Sequence, residues 1–187
     1  MEVNDSTTLV VDRSVLINFL CIDRMDLIAR HSHSFIVTEH VAEEVKNYYS
    51  DERTRLDNAF KSAILREERV EAPSLATSPA SSATSERLGL GERSAIALAI
   101  AKGWQLAIDD RRAAREALEI SPRLRIVTTQ DLVVSMICEN LLNIAEADDM
   151  KHAWSTRYRF HLRIESFADV VSAKMEGGSH RIVPFYE

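Results

Sequence analysis

The 187-residue chain has only two cysteines, five glycines and four prolines, and it contains no long apolar run. Cys21 and Cys138 lie in apolar, helix-like surroundings without a CxxC or Cys/His pattern, so we expect two buried thiols and neither a disulfide nor a metal site built on them. No stretch reaches the roughly 18 apolar residues that span a bilayer, and the N-terminus lacks the basic start and apolar core of a signal peptide. These absences predict a cytoplasmic protein that does not associate with a membrane.

An excess of positive charge is also absent. The formal net charge is −6 and the pI is near 5.6, which argues against a protein that coats nucleic acid through bulk charge but leaves room for a local basic surface. What the chain does have is 45% hydrophobic residues. At this length they predict one main domain with a substantial core.

Four short β-favouring runs are each followed by a helix-favouring segment. The runs are TLVV at 8–11, SFIV at 34–37, QLAI at 105–108 and RIV at 125–127. Repeated strand-to-helix steps predict an α/β fold with a mainly parallel central sheet. Thr38 is the expected N-cap of a helix that runs from about Glu39 to Tyr49.

The segments between and after these units have patterns of their own. RLDNAFKSAILREE at 55–68 has the apolar spacing of an amphipathic helix, and GERSAIALAIAKG predicts a buried helix bounded by Gly91 and Gly103. Ser, Ala, Thr and Pro dominate 72–87, which predicts a flexible loop. The predicted organisation is a domain at 1–145 that includes this loop, and a helical C-terminal extension at 146–187 in which YRFHLRI resembles an edge strand or an extended segment.

Acidic residues stand at the ends of two predicted strands. Asp12 follows the first run, and Asp109 and Asp110 follow the third. The carboxyl ends of parallel strands share one edge of a sheet, which is where open α/β folds bind ligands. Adjacent side chains point in different directions, so one of Asp109 and Asp110 is expected to enter the site and the other to cap a helix.

Two glutamates are candidates for the same edge. Glu44 shares a helical face with Val41 and Val45, and an ionised carboxylate on a core-facing stripe is costly unless it is paired or bound to a metal. Glu92 begins the helix that follows Gly91, and the turn before it can aim the side chain into the cleft. We therefore expect Glu44 and Glu92 to join the acidic residues at the strand ends.

Each acidic residue also has a purely structural interpretation. Asp12 and Asp110 fit helix N-caps, Glu92 is favoured in a first helical turn by the helix dipole, and Glu44 can pair with a buried arginine. One shared cause is a simpler explanation than four coincidences. The joint interpretation is a cluster of about four carboxylates that binds Mg²⁺ or Mn²⁺, because hard ions prefer oxygen ligands and no His/Cys set is visible.

Four segments together resemble the PIN-domain ribonucleases, the nuclease superfamily that includes the VapC-type toxins of bacterial toxin–antitoxin pairs. They occur in the expected order from about residue 8 to 127, and they are VVDRSVLINFL, VTEHVAEEV, LGLGERSAIALAIAKG and AIDDRRAAREAL. Each motif is weak alone, but four in the right order are fairly specific. The chain departs from the family pattern at IVTTQDLVVSM, where a glycine-containing segment is common, and in the tail beyond about residue 145.

The resemblance implies a three-layer α/β/α sandwich and a metal-dependent endoribonuclease. Asp12, Glu44, Glu92 and one or both of Asp109 and Asp110 would hold one or two divalent ions that activate a water for attack on an RNA phosphodiester. It places Ser14 beside Asp12, where the residue either binds a ligand or is simply a first-turn helix residue. An antitoxin partner and a homodimer are further implications of the resemblance.

Several other residues near the motifs are candidate substrate or support residues. The basic ones, Arg111, Arg112 and Arg115, either contact RNA phosphates or pair with acidic neighbours on a solvated helix face. Asp131 either adds an acidic group near the site or closes a capping arrangement with Thr128. The sequence leaves both pairs of alternatives open.

Two other classes of function compete with a nuclease. A catalytically silent PIN-like module that binds RNA or protein would keep the fold without turnover. A haloacid-dehalogenase-type phosphatase would need Asp-x-Asp after the first strand, where this chain has Asp12, Arg13 and Ser14, and a phospho-receiver would need a lysine partner that we do not find. The endoribonuclease is the favoured interpretation.

Overall fold

A computed structural model describes residues 7–48, 50–70 and 88–176. The described residues form five strands and nine helices. The strands are β1 (Thr8–Val11), β2 (Ser34–Thr38), β3 (Leu65–Glu68), β4 (Gln105–Ala107) and β5 (Ile126–Val127). The helices are α1 (Arg13–Cys21), α2 (Met25–Arg30), α3 (Glu39–Tyr48), α4 (Ser50–Lys61), α5 (Leu90–Lys102), α6 (Arg111–Ile120), α7 (Thr129–Cys138), α8 (Ile144–Arg157) and α9 (Phe167–Glu176). The predicted loop at 72–87 lies outside the described residues.

The strands make one parallel sheet in the order β3-β2-β1-β4-β5. β1 is central, with Val10 opposite Ile36 of β2 and Val11 opposite Ala107 of β4. The chain therefore builds outward from β1 to β3 and then crosses to the other side of β1 for β4 and β5. Helices flank this sheet, which confirms the predicted α/β fold class.

The core lies around β1 and α5. All four residues of β1 are buried, which is why this strand is apolar throughout instead of alternating. α5 packs against β1, β2 and β4, and its buried alanines Ala95 and Ala99 allow the helix to approach the sheet closely. Gly103 ends α5 in a left-handed conformation with φ of 67°, as the predicted C-terminal glycine requires. The helix begins at Leu90, so Gly91 lies within its first turn and is not its boundary.

One strand, β3, was not predicted from the sequence. The predicted amphipathic helix at 55–68 ends at Lys61, and Leu65–Glu68 pairs with β2 instead. Ala63 has φ of 56°, and its N–H donates to the Phe60 carbonyl while the Ile64 N–H donates to the Ala59 carbonyl. These two bonds end a helix with a left-handed residue that is usually glycine. Because alanine occupies that position, no residue type marks the end of α4.

The contacts divide the chain into two units, Met1–Thr129 and Gln130–Glu187, and the predicted boundary near residue 145 stays a prediction. In the second unit α8 and α9 pack together, and Asp148 accepts hydrogen bonds from the Ser166 hydroxyl and the Phe167 N–H where α9 begins.

Two expectations from the sequence are corrected by the structure. YRFHLRI is not a strand. Cys138, at the end of α7, is exposed, so the expectation of two buried thiols holds only for Cys21. No helix among the described residues has the length and apolar composition needed to cross a membrane.

Candidate functional site

Parallel pairing brings the ends of β1 and β4 together at one edge of the sheet. The Asp12 N–H donates to the Ala107 carbonyl at 2.9 Å and so extends the β1–β4 ladder beyond the strands. Ser14, in the first turn of α1, accepts a hydrogen bond from the Asp109 N–H through Oγ at 3.0 Å. The two strand ends that the sequence predicted to carry acidic residues are thus joined by direct hydrogen bonds.

Asp12 is the most deeply buried carboxylate of this edge, with 2% of the residue exposed. Its Oδ2 accepts hydrogen bonds from the Ser14 N–H at 2.9 Å and the Ser14 hydroxyl at 2.6 Å, which makes Asp12 the N-cap of α1. Its Oδ1 is buried and makes no hydrogen bond of good geometry to the described residues, although the Arg13 backbone N–H is near enough to lower the pKa of Asp12. Burial raises the pKa of Asp12, and the hydrogen bonds from Ser14 act in the opposite direction. The capping interpretation therefore accounts for one oxygen of Asp12 and leaves the other unexplained.

Asp109 is held by residues distant in the sequence. Its Oδ1 accepts from the Thr129 N–H at 2.9 Å, and its Oδ2 accepts from the Thr129 hydroxyl at 2.6 Å and the Asn18 amide at 3.0 Å. Asn18 also donates to Thr129 Oγ1 at 3.1 Å, and both residues are buried. Both carboxylate oxygens of Asp109 are thus engaged in a network that links α1, β4 and the start of α7.

Asn18 and Thr129 were not predicted as site residues from the sequence. The available signal for Asn18 was a single polar residue inside the apolar helix VLINFL, because a buried amide needs hydrogen-bond partners. Thr129 resembled an ordinary helix start. Neither pattern indicates that the partner is Asp109.

Asp110 behaves differently from its neighbour. It is the exposed N-cap of α6, and its Oδ1 accepts from the Ala113 N–H at 2.9 Å. Its negative charge also raises the pKa of Glu92, so Asp110 lies near Glu92. The edge of the sheet that carries Asp12, Glu44, Glu92 and Asp110 is called the acidic edge below. Asp110 thus caps α6 and Asp109 is fixed in the inner network, and which of the two enters a ligand site stays a prediction.

Glu92 lies partly buried in the first turn of α5. Its Oε2 accepts from the Gly89 N–H at 2.9 Å. Burial raises the pKa of Glu92, the Gly89 N–H lowers it, and the charges of Asp12 and Asp110 raise it further. The charges of two carboxylates from other segments therefore act on Glu92.

Glu44 is partly buried, with 24% of its side chain exposed. Its Oε1 accepts from the Gly91 N–H at 2.9 Å, and its Oε2 lies 3.5 Å from Nε of Arg13. Val41 and Val45 on the same helical face are fully buried. Glu44 therefore has an arginine partner, as its structural interpretation required, and this partner is Arg13, the residue next to Asp12.

The basic candidates lie on the helix that Asp110 caps. Arg111, Arg112 and Arg115 are exposed on α6, and Nε of Arg112 is 4.0 Å from Oε1 of Glu116. The charge of Arg112 lowers the pKa of Glu92, which places this guanidinium on the side of the acidic edge. Asp131 lies in the first turn of α7 and belongs to the second unit.

The carboxylates are not already arranged as a closed metal centre. Among the described residues no group of three or more His, Cys, Asp or Glu side chains is spaced to hold an ion. The donor chemistry nevertheless fits a hard divalent cation, because the available atoms are carboxylate oxygens and Oδ1 of Asp12 is buried without a hydrogen-bond partner in the described part of the chain. The residues at this edge therefore have the donor atoms that a divalent cation prefers, but not the spacing of a preformed site.

Comparison with known families covers most of the chain. The model of a family described as DUF3368, PIN domain, matches residues 8–153. The match includes β1 through most of α8, and thus all of the acidic residues at the sheet edge. No curated protein matches the chain.

Proposed function

Since the chain belongs to the PIN-domain family, whose members are generally nucleases, we propose that it is a divalent-metal-dependent endoribonuclease. The observation that carries the proposal is Oδ1 of Asp12, a buried carboxylate oxygen without a hydrogen-bond partner among the described residues, on a side chain whose charge raises the pKa of Glu92. An unpaired buried acceptor of this kind is costly unless a ligand occupies it. If Asp12 were only the N-cap of α1, its second oxygen would not need to be buried without a partner.

The proposed ligands are Asp12, Glu92, Asp110 and Glu44. Bound Mg²⁺ or Mn²⁺ would supply an activated water and stabilise the charge that develops on the phosphodiester. Asp109 belongs to the proposed catalytic set as well, but its two oxygens accept three hydrogen bonds from Thr129 and Asn18. We therefore assign Asp109 the task of holding this edge in place.

The chain's own residues orient the ligands. The Ser14 hydroxyl fixes Oδ2 of Asp12, and the same hydroxyl accepts a hydrogen bond from the Asp109 N–H. Arg111, Arg112 and Arg115 are exposed on the helix that Asp110 caps, and the charge of Arg112 acts on Glu92. Guanidinium groups of this kind neutralise RNA phosphates and position the backbone without reading its sequence.

A catalytically silent module that binds RNA or protein is the second candidate. It is favoured by the observation that Asp12, Asp110, Glu92 and Glu44 each make a structural hydrogen bond. A toxin role, an antitoxin that covers the acidic edge and a homodimer belong to the proposal through the family resemblance alone. None of the contacts at this edge argues for them.

The test is cleavage of a mixed single-stranded and structured RNA pool in Mg²⁺, Mn²⁺ or EDTA. Wild type should cut only with metal, and Asp12→Asn and Glu92→Gln should not cut although their circular dichroism is unchanged. Asp26→Asn is the matched control, because Asp26 is an exposed helical aspartate paired with Arg24 and Arg30, and it should cut like wild type. Cutting that persists in EDTA or in Asp12→Asn contradicts the metal-dependent mechanism. Wild type that binds Mn²⁺ and does not cut supports the silent module.

The basic helix can be tested separately by RNA affinity in EDTA. Replacing an arginine of α6 by glutamine should lower the slope of log affinity against log salt by about 0.7 for each phosphate of a single strand that the arginine neutralises. Arg30→Gln is a control outside α6, since Arg30 pairs with Asp26 on α2. An unchanged slope after replacing Arg111, Arg112 and Arg115 contradicts their assignment to RNA.

A further inference from the structure

Glu44 is held at two points that come from different parts of the chain. The Gly91 N–H donates to Oε1 at 2.9 Å, and Arg13 approaches Oε2 at 3.5 Å. Gly91 lies in the first turn of α5, where a backbone N–H has no partner within the helix and attracts negative charge. The Glu44 carboxylate therefore rests on the start of the helix that carries Glu92.

Gly91 leaves space that no other residue type would leave. A Cβ at this position would lie 2.7 Å from Oε1 of Glu44, 2.8 Å from its Cδ and 3.0 Å from its Oε2. The three atoms nearest to the added methyl group would thus all belong to the Glu44 carboxylate. Backbone conformation does not explain the glycine, because Gly91 is a helical residue without a positive φ. What Gly91 provides is room for Glu44.

Gly89, two residues earlier, provides a contrast. A Cβ there would be 3.7 Å from Oε2 of Glu92 and 3.8 Å from Oε1 of Glu44, which is ordinary van der Waals contact. Both glutamate carboxylates therefore approach the first turn of α5 from one side. Alanine is compatible with the carboxylates at residue 89 and incompatible with the present position of Glu44 at residue 91.

We infer that Gly91 is a positioning residue that fixes the Glu44 carboxylate for cation binding, an inference that rests on the proposed metal-dependent function. The obstructed group is the far end of a flexible side chain, so alanine at residue 91 displaces the carboxylate more easily than it displaces the helix. Alanine is also a better helix former than glycine. Fold stability and metal affinity should consequently respond in different ways to Gly91→Ala.

The experiment measures Mn²⁺ affinity by titration calorimetry and melting temperature in EDTA for four variants of the full chain. Gly91→Ala should melt at or above the wild-type temperature and bind Mn²⁺ roughly 10- to 100-fold more weakly, the usual effect of disturbing a residue that orients a ligand. Gly89→Ala should melt slightly lower, since alanine is a poor N-cap, and bind Mn²⁺ like wild type. Glu44→Ala should weaken binding, and adding Gly91→Ala to it should have no further effect.

The outcomes separate this inference from the proposed function. Mn²⁺ binding by Gly91→Ala at wild-type affinity overturns the inference, as does an equal loss in the Glu44→Ala background, which would mean that alanine disturbs the helix itself. RNA cleavage by wild type is measured in parallel. Wild type that binds Mn²⁺ without cutting RNA overturns the nuclease and leaves the role of Gly91 intact, whereas wild type that binds no Mn²⁺ overturns both.

Discussion

Asp12→Asn should stabilise the metal-free protein although it removes the central residue of the proposed site. The carboxylate is 2% exposed, its Oδ1 has no hydrogen-bond partner among the described residues, and Glu92 is a like-charged neighbour. Asparagine caps a helix as well as aspartate does, so the bond from the Ser14 N–H is retained. The neutral amide is less costly to bury than an ionised carboxylate.

The magnitude follows from two opposing effects. An unpaired buried polar group costs on the order of 1–3 kcal/mol and a charged one costs more, so asparagine removes the cost of the charge although its amide still lacks a partner. The Ser14 hydroxyl bond, at 2.6 Å, becomes weaker once its acceptor is uncharged. We expect a net gain of about 1–2 kcal/mol in the free energy of unfolding. For a chain of this size that corresponds to a melting temperature about 2–8 °C higher.

Bound metal should make wild type more stable than Asp12→Asn, the reverse of the order expected in EDTA. A ligand at about 100 times its dissociation constant stabilises the state that binds it by about 2.7 kcal/mol, and only wild type is expected to gain this. The assay is thermal unfolding at pH 7, followed by circular dichroism, in EDTA and across a Mn²⁺ titration. Asp110→Asn is the matched control in EDTA, because it changes an exposed N-cap in the same way and should shift the melting temperature little. Asp12→Asn that melts below wild type in EDTA refutes the reasoning, since the capping charge would then outweigh the cost of burial.

Three further predictions follow from individual contacts. Burial raises the pKa of Asp12 and Glu92, so the metal-free folded state holds protons that the unfolded state has released. Its stability should therefore fall as pH rises from about 4 through the raised pKa values, and denaturant unfolding in EDTA should show a smaller fall for Asp12→Asn. Thr129→Val removes the hydroxyl donor to Asp109 and should lower the free energy of unfolding by about 1–3 kcal/mol; a smaller change in chemical denaturation would show that water replaces the hydroxyl. Ala63→Gly should raise the free energy of unfolding by about 0.5–1 kcal/mol, because glycine relieves the left-handed strain but adds entropy to the unfolded chain, and an unchanged denaturation midpoint would contradict the strain.

The fold was largely predictable because its strongest signals are local. β1 and β2 are apolar runs followed directly by helices, and such units repeat along the chain. β3 was missed for a local reason as well. Three of its four residues are charged, and the helix before it ends at a left-handed alanine instead of a glycine. Pairing with β2, and not the composition of LREE, makes this segment a strand.

The candidate site was predictable only in part, because its contacts are not local. The sequence predicted the acidic residues and a shared edge for them, and the charges of Asp12 and Asp110 do act on Glu92. It did not identify the partner of Asp109, since Asn18 is 91 residues away in the chain, nor the partner of Glu44, since Gly91 is 47 residues away. Adjacent aspartates look alike in a sequence, and only these distant donors distinguish Asp109 from Asp110.

The strand order also determines when the acidic edge comes into existence during synthesis. A nascent chain that has emerged as far as β3 can pair its three strands in succession, and it carries Asp12 and Glu44 but neither Glu92 nor Asp110. The remaining step is closure of β4 on β1, which brings together Ser14 and Asp109 from 95 residues apart. Contacts of such separation form slowly, because the entropy of a long loop is lost before they add stability. A prematurely terminated chain that ends before β4 therefore never assembles this edge, and a full-length chain acquires it only when the two halves of its sheet have joined.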